Sequence, residues 1–167
     1  MTKSDYIHFW KTSAEKDWEV AQNLFEKKNY PQFLFFGHLA LEKLLKAHWV
    51  KDNQEDFPPR IHNLNRLSED TRLVLSPEDL AFLDKMNDFQ LEGRYPDYQF
   101  KIYQLCTPVY TEEILKEVKR LVVWLTNQLP KKLLIITFRL SVPWVLTSAR
   151  LTFSVPMPGI ASMNGQI

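Results

Sequence analysis

The sequence has little glycine and little cysteine, and each shortage excludes a class of protein or site. Four glycines in 167 residues argue against a glycine-rich phosphate loop, a collagen-like repeat and a flexible linker, because each needs glycine for its backbone geometry or disorder. The single cysteine, Cys106, has no partner for an internal disulfide and no second thiolate for a zinc site. The composition predicts a soluble, cytoplasmic protein with one core of ordinary size.

Acidic residues are missing from the C-terminal part of the chain. All 20 Asp and Glu residues lie between Asp5 and Glu117, so residues 1–130 carry a net charge of −3 and residues 131–167 carry +4. The body therefore lacks the large basic excess that drives non-specific binding of nucleic acid. Any contact with RNA or a nucleotide has to come from a local cluster of cations.

Residues 131–167 form an atypical hydrophobic and basic tail after the body of residues 1–130. Two alternatives stay open for this tail: an irregular or β-prone edge hairpin, or a read-through or frame-shifted end that was never selected to fold with the body. Its apolar stretch contains Arg139 and Arg150, which predicts no membrane span. The polar N-terminus predicts no signal peptide, and no function is assigned to the tail.

Apolar residues recur at helical spacing in four long segments of the body, which predicts an all-α, up-and-down four-helix bundle with short extra helices. The second segment is apolar nearly all round and should therefore lie at the centre. Residues 60–70 predict a short helix, and residues 93–108 predict irregular structure. The predicted N-terminal signals are Ser4 with Asp5, Pro31 in a first turn, Ser76 with Asp79 in a capping box, and Thr111.

The second segment also contains charged and titratable residues. Glu42 and Lys46 stand four residues apart, which predicts a helical ion pair, worth about 0.2–0.5 kcal/mol when exposed, with a structural role only. His38 and His48 lie in the same segment, and we interpret them as core or boundary residues. Cys106 is interpreted as a buried thiol.

His62 has two open interpretations, because it lies at a helix entrance where a histidine either caps the helix or meets a ligand. None of the four histidines has a second ligand at a spacing typical of zinc sites. The sequence therefore predicts no metal and no cofactor.

A second cluster surrounds Arg94. Its guanidinium suits bidentate binding of phosphate or carboxylate, and Tyr95 or Tyr98 can stack on a base. The alternative is that Arg94 pairs with Glu92 or Asp97.

Four phrases in order resemble the HEPN domain family (higher eukaryotes and prokaryotes nucleotide-binding domain) over residues 5–128. The most specific phrase is residues 36–47, Phe-Gly-His-Leu-Ala-Leu-Glu-Lys-Leu-Leu-Lys-Ala. The others are residues 13–21 with the turn at 29–31, residues 61–64 with Leu67, and residues 94–96. The resemblance implies a homodimeric bundle from a prokaryotic toxin–antitoxin-type system, associated with nucleotides or RNA and partnered by a minimal nucleotidyltransferase encoded next door.

Some members of that family are metal-independent RNases that use an Arg followed after four to six residues by a His. No Arg and His have that spacing here, since Arg60 precedes His62 by only two residues. The nearest substitutes for a catalytic pair are His62 and Arg94, from separate segments. The prediction therefore leans toward a protein that is not an enzyme.

The leading hypothesis is a nucleotide- or RNA-binding module. Its predicted contacts are the cationic and aromatic residues beside the interhelical loops, namely Arg60, His62, Arg66, Arg94 and Tyr95. The alternatives are a divergent metal-independent RNase and a purely structural subunit for protein–protein interaction.

Overall fold

The structure is a computed structural model that describes residues 2–94 and 101–130, and the predictions for the tail and for Tyr95 lie outside them. All regular elements in these two ranges are helices, which confirms the predicted all-α helical bundle. The four long helices and two short ones are α1 (Lys3–Glu26), α2 (Tyr30–Asp52), α3 (Leu64–Glu69), α4 (Pro77–Arg94), α5 (Lys101–Leu105) and α6 (Pro108–Asn127).

Helix α2 lies at the centre of the bundle, as its apolar composition predicts. It packs against α1, α3, α4, α5 and α6. The turn at residues 27–29 is so short that α1 and α2 form an antiparallel helical hairpin. Pro31 stands in the first turn of α2 as predicted, where its missing N–H is not needed.

The core consists of apolar side chains from every helix. Helix α1 contributes Ala14 and Ala21, which lie seven residues apart on one face, and its tryptophans Trp10 and Trp18 are partly buried against the core. Helix α4 contributes Leu83, Met86 and Phe89, whereas Leu80 in its first turn is exposed. The other fully buried large side chains include Phe33, Leu34, Leu41, Leu44, Leu45, Leu64, Leu67, Leu121 and Leu125.

Two of the predicted helix caps are wrong, the first by two residues and the second by four. Thr2, not Ser4, caps α1, and Asp5 completes the capping box by accepting from the backbone of Thr2. Thr107, not Thr111, caps α6, since Pro108 takes the first helical position directly after it. Thr111 lies buried inside the helix, where its hydroxyl donates to the carbonyl of Thr107 at 2.8 Å.

The capping box of α4 is confirmed. The Ser76 hydroxyl accepts from the backbone N–H of Asp79 at 3.1 Å, and the Asp79 carboxylate accepts from the N–H of Ser76 at 3.2 Å. Because both partners lie within four residues, the sequence pattern alone specifies this contact.

The lengths of two other segments differ from the prediction. The short helix covers Leu64–Glu69 rather than residues 60–70, with Asn63 as its cap. Residues 60–63 stay outside the helix because the backbone of His62 is bonded to α2 instead. Within the segment predicted to be irregular, residues 93–94 and 101–105 are helical, since α4 extends to Arg94 and α5 forms a further turn.

Within the described ranges, we find no helix with the length and apolar character that a membrane crossing needs.

Candidate functional site

The loop between α2 and α3 returns to the middle of α2 and places His62 there. Nε2 of His38 lies 3.1 Å from the backbone oxygen of His62, so the imidazole donates and the carbonyl accepts. One residue later Asn63 caps α3 by accepting from the N–H of Arg66 at 2.9 Å. The backbone around His62 is therefore held on both sides.

The side chain of His62 is bound to the carboxylate of Glu42. Its Nδ1 lies 3.2 Å from Oε1 and 3.1 Å from Oε2. The His62 side chain is 48% exposed, whereas that of Glu42 is only 6% exposed. The pair thus joins a buried carboxylate to an imidazole that is half in solvent.

Glu42 is ionised in the interior because Lys46 and His62 both bind it. Burial alone would raise the pKa of Glu42, but the hydrogen bond and charge of Lys46, with the hydrogen bond from His62, outweigh burial and hold the pKa below its usual value. Nζ of Lys46 lies 2.7 Å from Oε1 and 5.4 Å from the centre of the Trp10 ring. The ion pair that the spacing of Glu42 and Lys46 predicts is therefore confirmed, but both charges are buried in the centre of the bundle.

His38 is the neutral member of this cluster. It is fully buried, and burial lowers its pKa from 6.5 to about 4, although Glu42 and the carbonyl of His62 act in the opposite direction. A neutral His38 carries a single N–H, and the carbonyl of His62 takes it. The prediction that His38 is a core residue is confirmed.

Helices α3 and α4 are fixed beside the cluster by two asparagines. Asn87 of α4 accepts from the backbone N–H of Leu64 at 2.9 Å and donates to Asn65 at 3.2 Å. Asn65 in turn donates to the carbonyl of Leu80 at 2.9 Å. The first turn of α3, which follows His62 directly, is thereby anchored to α4.

Two of the predicted contact residues flank His62 and are exposed. Arg60 precedes it in the loop and Arg66 follows it on α3. Neither guanidinium forms an ion pair with any side chain in residues 2–91 or 102–130. Both remain available to an anionic ligand.

The structure does not test the other two predicted contacts, Arg94 and Tyr95. Arg94 is the last residue of α4, and its side chain, like all of Tyr95, lies outside the described part of the chain.

Sequence reasoning missed that Glu42 and Lys46 are buried beside His38 and form a cluster with it. These three residues stand four apart on an otherwise apolar helix, so they share one face of it. Polar residues at that spacing within an apolar helix are the signal that could have indicated a buried network. In the described ranges, no group of three or more His, Cys, Asp and Glu side chains is arranged to hold a metal ion.

Comparison with known families gives a match over most of the described chain. The family model described as HEPN domain matches residues 7–129, which covers α1 to α6. This span agrees closely with the resemblance over residues 5–128. No curated protein and no solved structure matches the chain significantly.

Proposed function

Because the chain belongs to the HEPN domain family, we propose that it binds RNA or a nucleotide through the surface formed by Arg60, His62 and Arg66, called here the His62 surface. The family supports a nucleotide- or RNA-related module. This surface is favoured over others because the exposed imidazole of His62 contacts the buried carboxylate of Glu42. Arg94 and Tyr95 complete the proposed set of contacts.

The residue types on this surface suit a phosphate ligand. Arginine guanidinium groups donate in a fork that matches two phosphate oxygens. Arg60 and Arg66 are exposed on either side of His62 and form no ion pair with the described side chains, so binding a phosphate does not first require breaking a salt bridge. Two neighbouring arginines attract an anion locally, even though the body as a whole carries a net charge of −3.

Isothermal titration of the protein with ATP and with a short single-stranded RNA, at 50 and 200 mM salt, tests this proposal. We expect Arg66→Ala to weaken binding at the lower salt concentration. Arg72→Ala is the matched control, because it removes the same charge from an exposed site. The backbone of Arg72 is bonded to Asp52, ten residues along α2 from Glu42 and so about 15 Å away. No binding at 50 mM salt, or equal losses in both variants, would contradict the proposal.

The same proposal includes the homodimer and the nucleotidyltransferase partner that the family resemblance implies. Exposed apolar side chains on α1 and α6 support an interface, namely Phe9, Val20, Val109 and Val123. Light scattering on the purified protein, alone and after expression with the neighbouring gene product, tests it. A monomeric mass in both samples contradicts it.

A second candidate function, a divergent metal-independent RNase, is favoured by the Glu42–His62 pair. A carboxylate that binds one nitrogen of an imidazole leaves the other nitrogen to act as a general base. In this reaction Nε2 of His62 takes the proton of a ribose 2′-hydroxyl, the 2′-oxygen forms a bond to phosphorus, and the bond from phosphorus to the 5′-oxygen breaks. The 5′-oxygen takes a proton from water, the hydroxide that remains takes the proton from Nε2 of His62, and the products are a 2′,3′-cyclic phosphate and a 5′-hydroxyl.

Incubation of labelled RNA with the protein in EDTA tests this candidate. Cleavage that is abolished by His62→Ala and retained by His8→Ala supports it, since His8 is an exposed histidine on α1 and the variant controls for contaminating nuclease. Intact RNA after long incubation eliminates the RNase and leaves the binding module.

A further inference from the structure

The residue His62 is anchored to α2 through both its backbone and its side chain. Its carbonyl accepts a hydrogen bond from His38, and its Nδ1 contacts Glu42, one turn further along the same helix. A side chain fixed in this way loses little further freedom when a ligand binds. The imidazole therefore presents a preorganised edge to the solvent.

The partner of Nδ1 determines which ring nitrogen carries the proton. A carboxylate that is ionised accepts hydrogen bonds and donates none, and Lys46 keeps Glu42 ionised. Nδ1 must consequently be the N–H of His62. In the neutral ring Nε2 then has no proton and is a hydrogen-bond acceptor.

Nε2 of His62 is open to a ligand. The side chain is 48% exposed, and Nε2 has no hydrogen-bond partner among the residues that the structure describes. The flanking groups Arg60 and Arg66 are donors only. The His62 surface therefore combines donors that suit phosphate with an acceptor that does not.

We propose that Nε2 of His62, held as an acceptor by Glu42, binds the ribose 2′-hydroxyl and makes this surface specific for RNA over DNA. The inference rests on the proposed function and names its ligand class. Phosphate groups are the same in RNA and DNA, so the arginines cannot distinguish the two. The 2′-hydroxyl is the donor that DNA lacks, and a site built to bind a hydroxyl disfavours the analogue without it.

The first test compares the affinities of RNA and DNA with the same bases. Titration at pH 8 uses an eight-nucleotide uridine RNA and the matching deoxyuridine DNA, which differ only in the 2′-hydroxyl. We expect the wild type to bind the RNA about three- to tenfold more tightly, as one net hydrogen bond allows. His62→Ala should bind both oligonucleotides equally, while His8→Ala should keep the preference.

The second test moves the ring proton of His62 from Nδ1 to Nε2 by changing Glu42 and leaving His62 in place. In Glu42→Gln the amide oxygen takes the place of Oε1, which accepts from Lys46 at 2.7 Å. The amide NH₂ then faces Nδ1 of His62 and donates to it, so the ring proton moves to Nε2. We expect this variant to lose the preference for RNA, because Nε2 no longer accepts from the 2′-hydroxyl.

Nitrogen-15 spectra of the imidazole at pH 8 report the protonated nitrogen directly, without any ligand. We expect the Nδ1–H form of His62 in the wild type and the Nε2–H form in Glu42→Gln. A wild type that carries its proton on Nε2 overturns the inference even if RNA binds.

The outcomes separate this inference from the proposed function. Equal binding of RNA and DNA that is weakened by Arg66→Ala overturns the RNA preference and leaves the binding module. Binding of neither oligonucleotide at 50 mM salt overturns both. A preference for RNA that disappears in His62→Ala and in Glu42→Gln, with unchanged thermal unfolding in at least one of the two variants, supports both.

Discussion

Glu42 and Lys46 show how a charged pair is retained inside a small helical bundle. The Lys46 side chain is 8% exposed and that of Glu42 is 6% exposed. Removal of one member of a buried pair leaves the other charge in the interior without compensation, which is more destabilising than loss of the attraction alone. The pair is thus a structural requirement and also the support on which His62 depends.

Lys46→Met should therefore lower the free energy of unfolding by about 3–5 kcal/mol, the range for breaking a buried ion pair. Urea denaturation at pH 7 measures it. The matched control is Lys43→Met, whose ion pair with Asp17 at 2.6 Å joins side chains that are 24% and 15% exposed. We expect a clearly smaller loss there, and equal losses would show that burial is not the deciding factor.

Two buried histidines make the stability of the protein depend on pH. Burial lowers the pKa values of His38 and His48 from 6.5 to about 4. Between those values the unfolded chain binds protons at both sites that the folded chain does not bind. The free energy of unfolding should therefore fall as the pH decreases from about 6.5 to about 4, with a slope of at most about 2.7 kcal/mol per pH unit.

Urea denaturation at pH 7, 6 and 5 checks this prediction. His48→Gln should reduce the slope by about half, because a glutamine amide can still donate to the carbonyl of Leu125, which Nε2 of His48 contacts at 2.9 Å, but does not titrate. The exposed His8 provides the control, since His8→Gln should leave the slope unchanged. A slope that is the same in all three proteins would assign the acid sensitivity to other groups.

At the scale of elements, the turn between α1 and α2 contains the one strained backbone position that the described residues show outside glycine. Lys28 has a φ of 61° and follows the last residues of α1. The N–H groups of Lys28 and Asn29 bond to the carbonyls of Phe25 and Leu24, the pattern of a Schellman motif. This position favours glycine, because a Cβ is disfavoured in the left-handed region.

Lys28→Gly should accordingly raise the free energy of unfolding by about 0.5–1 kcal/mol. Lys27→Gly is the control in the same turn, since Lys27 has a φ of −83° that any residue adopts. We expect no gain from that substitution. Thermal unfolding of the two variants beside the wild type distinguishes them, and a higher midpoint for Lys27→Gly would contradict the explanation.

Local sequence spacing predicts some features of the helices correctly and others incorrectly. The Ser76–Asp79 box and the stripe through Ala14 and Ala21 depend on neighbours within a turn or two, so local spacing predicts them. The cap at Thr107 was misplaced because Thr111 is equally suitable in isolation, and the proline directly after Thr107 is the signal that favours the correct residue.

The site could be predicted only in part, because its contacts join distant segments. The place of His62 before a short helix singles it out, whereas Glu42 lies 20 residues earlier and its spacing indicates only a helical ion pair with Lys46. No local spacing predicts that the loop returns to α2. Only the packing of the loop against the centre of α2 brings the two side chains into contact.

For the whole molecule, the distribution of charge limits how RNA can bind. The body has a net charge of −3, and acidic residues pair with basic ones at several points, including Arg120 with Asp79 and Glu117. A long basic groove along the backbone of a nucleic acid is therefore not expected. Binding should instead be local and use two or three arginines.

Binding through only two or three arginines predicts that the affinity for RNA depends weakly on salt concentration. Each phosphate neutralised on a single strand contributes about −0.7 to the slope of log K against log salt concentration, so two or three arginines give between about −1.4 and about −2.1. Titration of a short RNA from 50 to 200 mM salt measures the slope. Arg66→Ala should make it shallower by about 0.7, whereas a slope several times steeper in the wild type would indicate a larger basic surface.

The most direct test of the central claim, that RNA or a nucleotide binds at the His62 surface, is a map of backbone amide shifts on the ¹⁵N-labelled protein during titration with short RNA at low salt. We predict that the largest changes fall on residues 60–66 and on the adjoining turn of α2 around Glu42, and that they saturate together. Changes confined to the outer faces of α1 or α6, with residues 60–66 unaffected at saturation, would contradict the account.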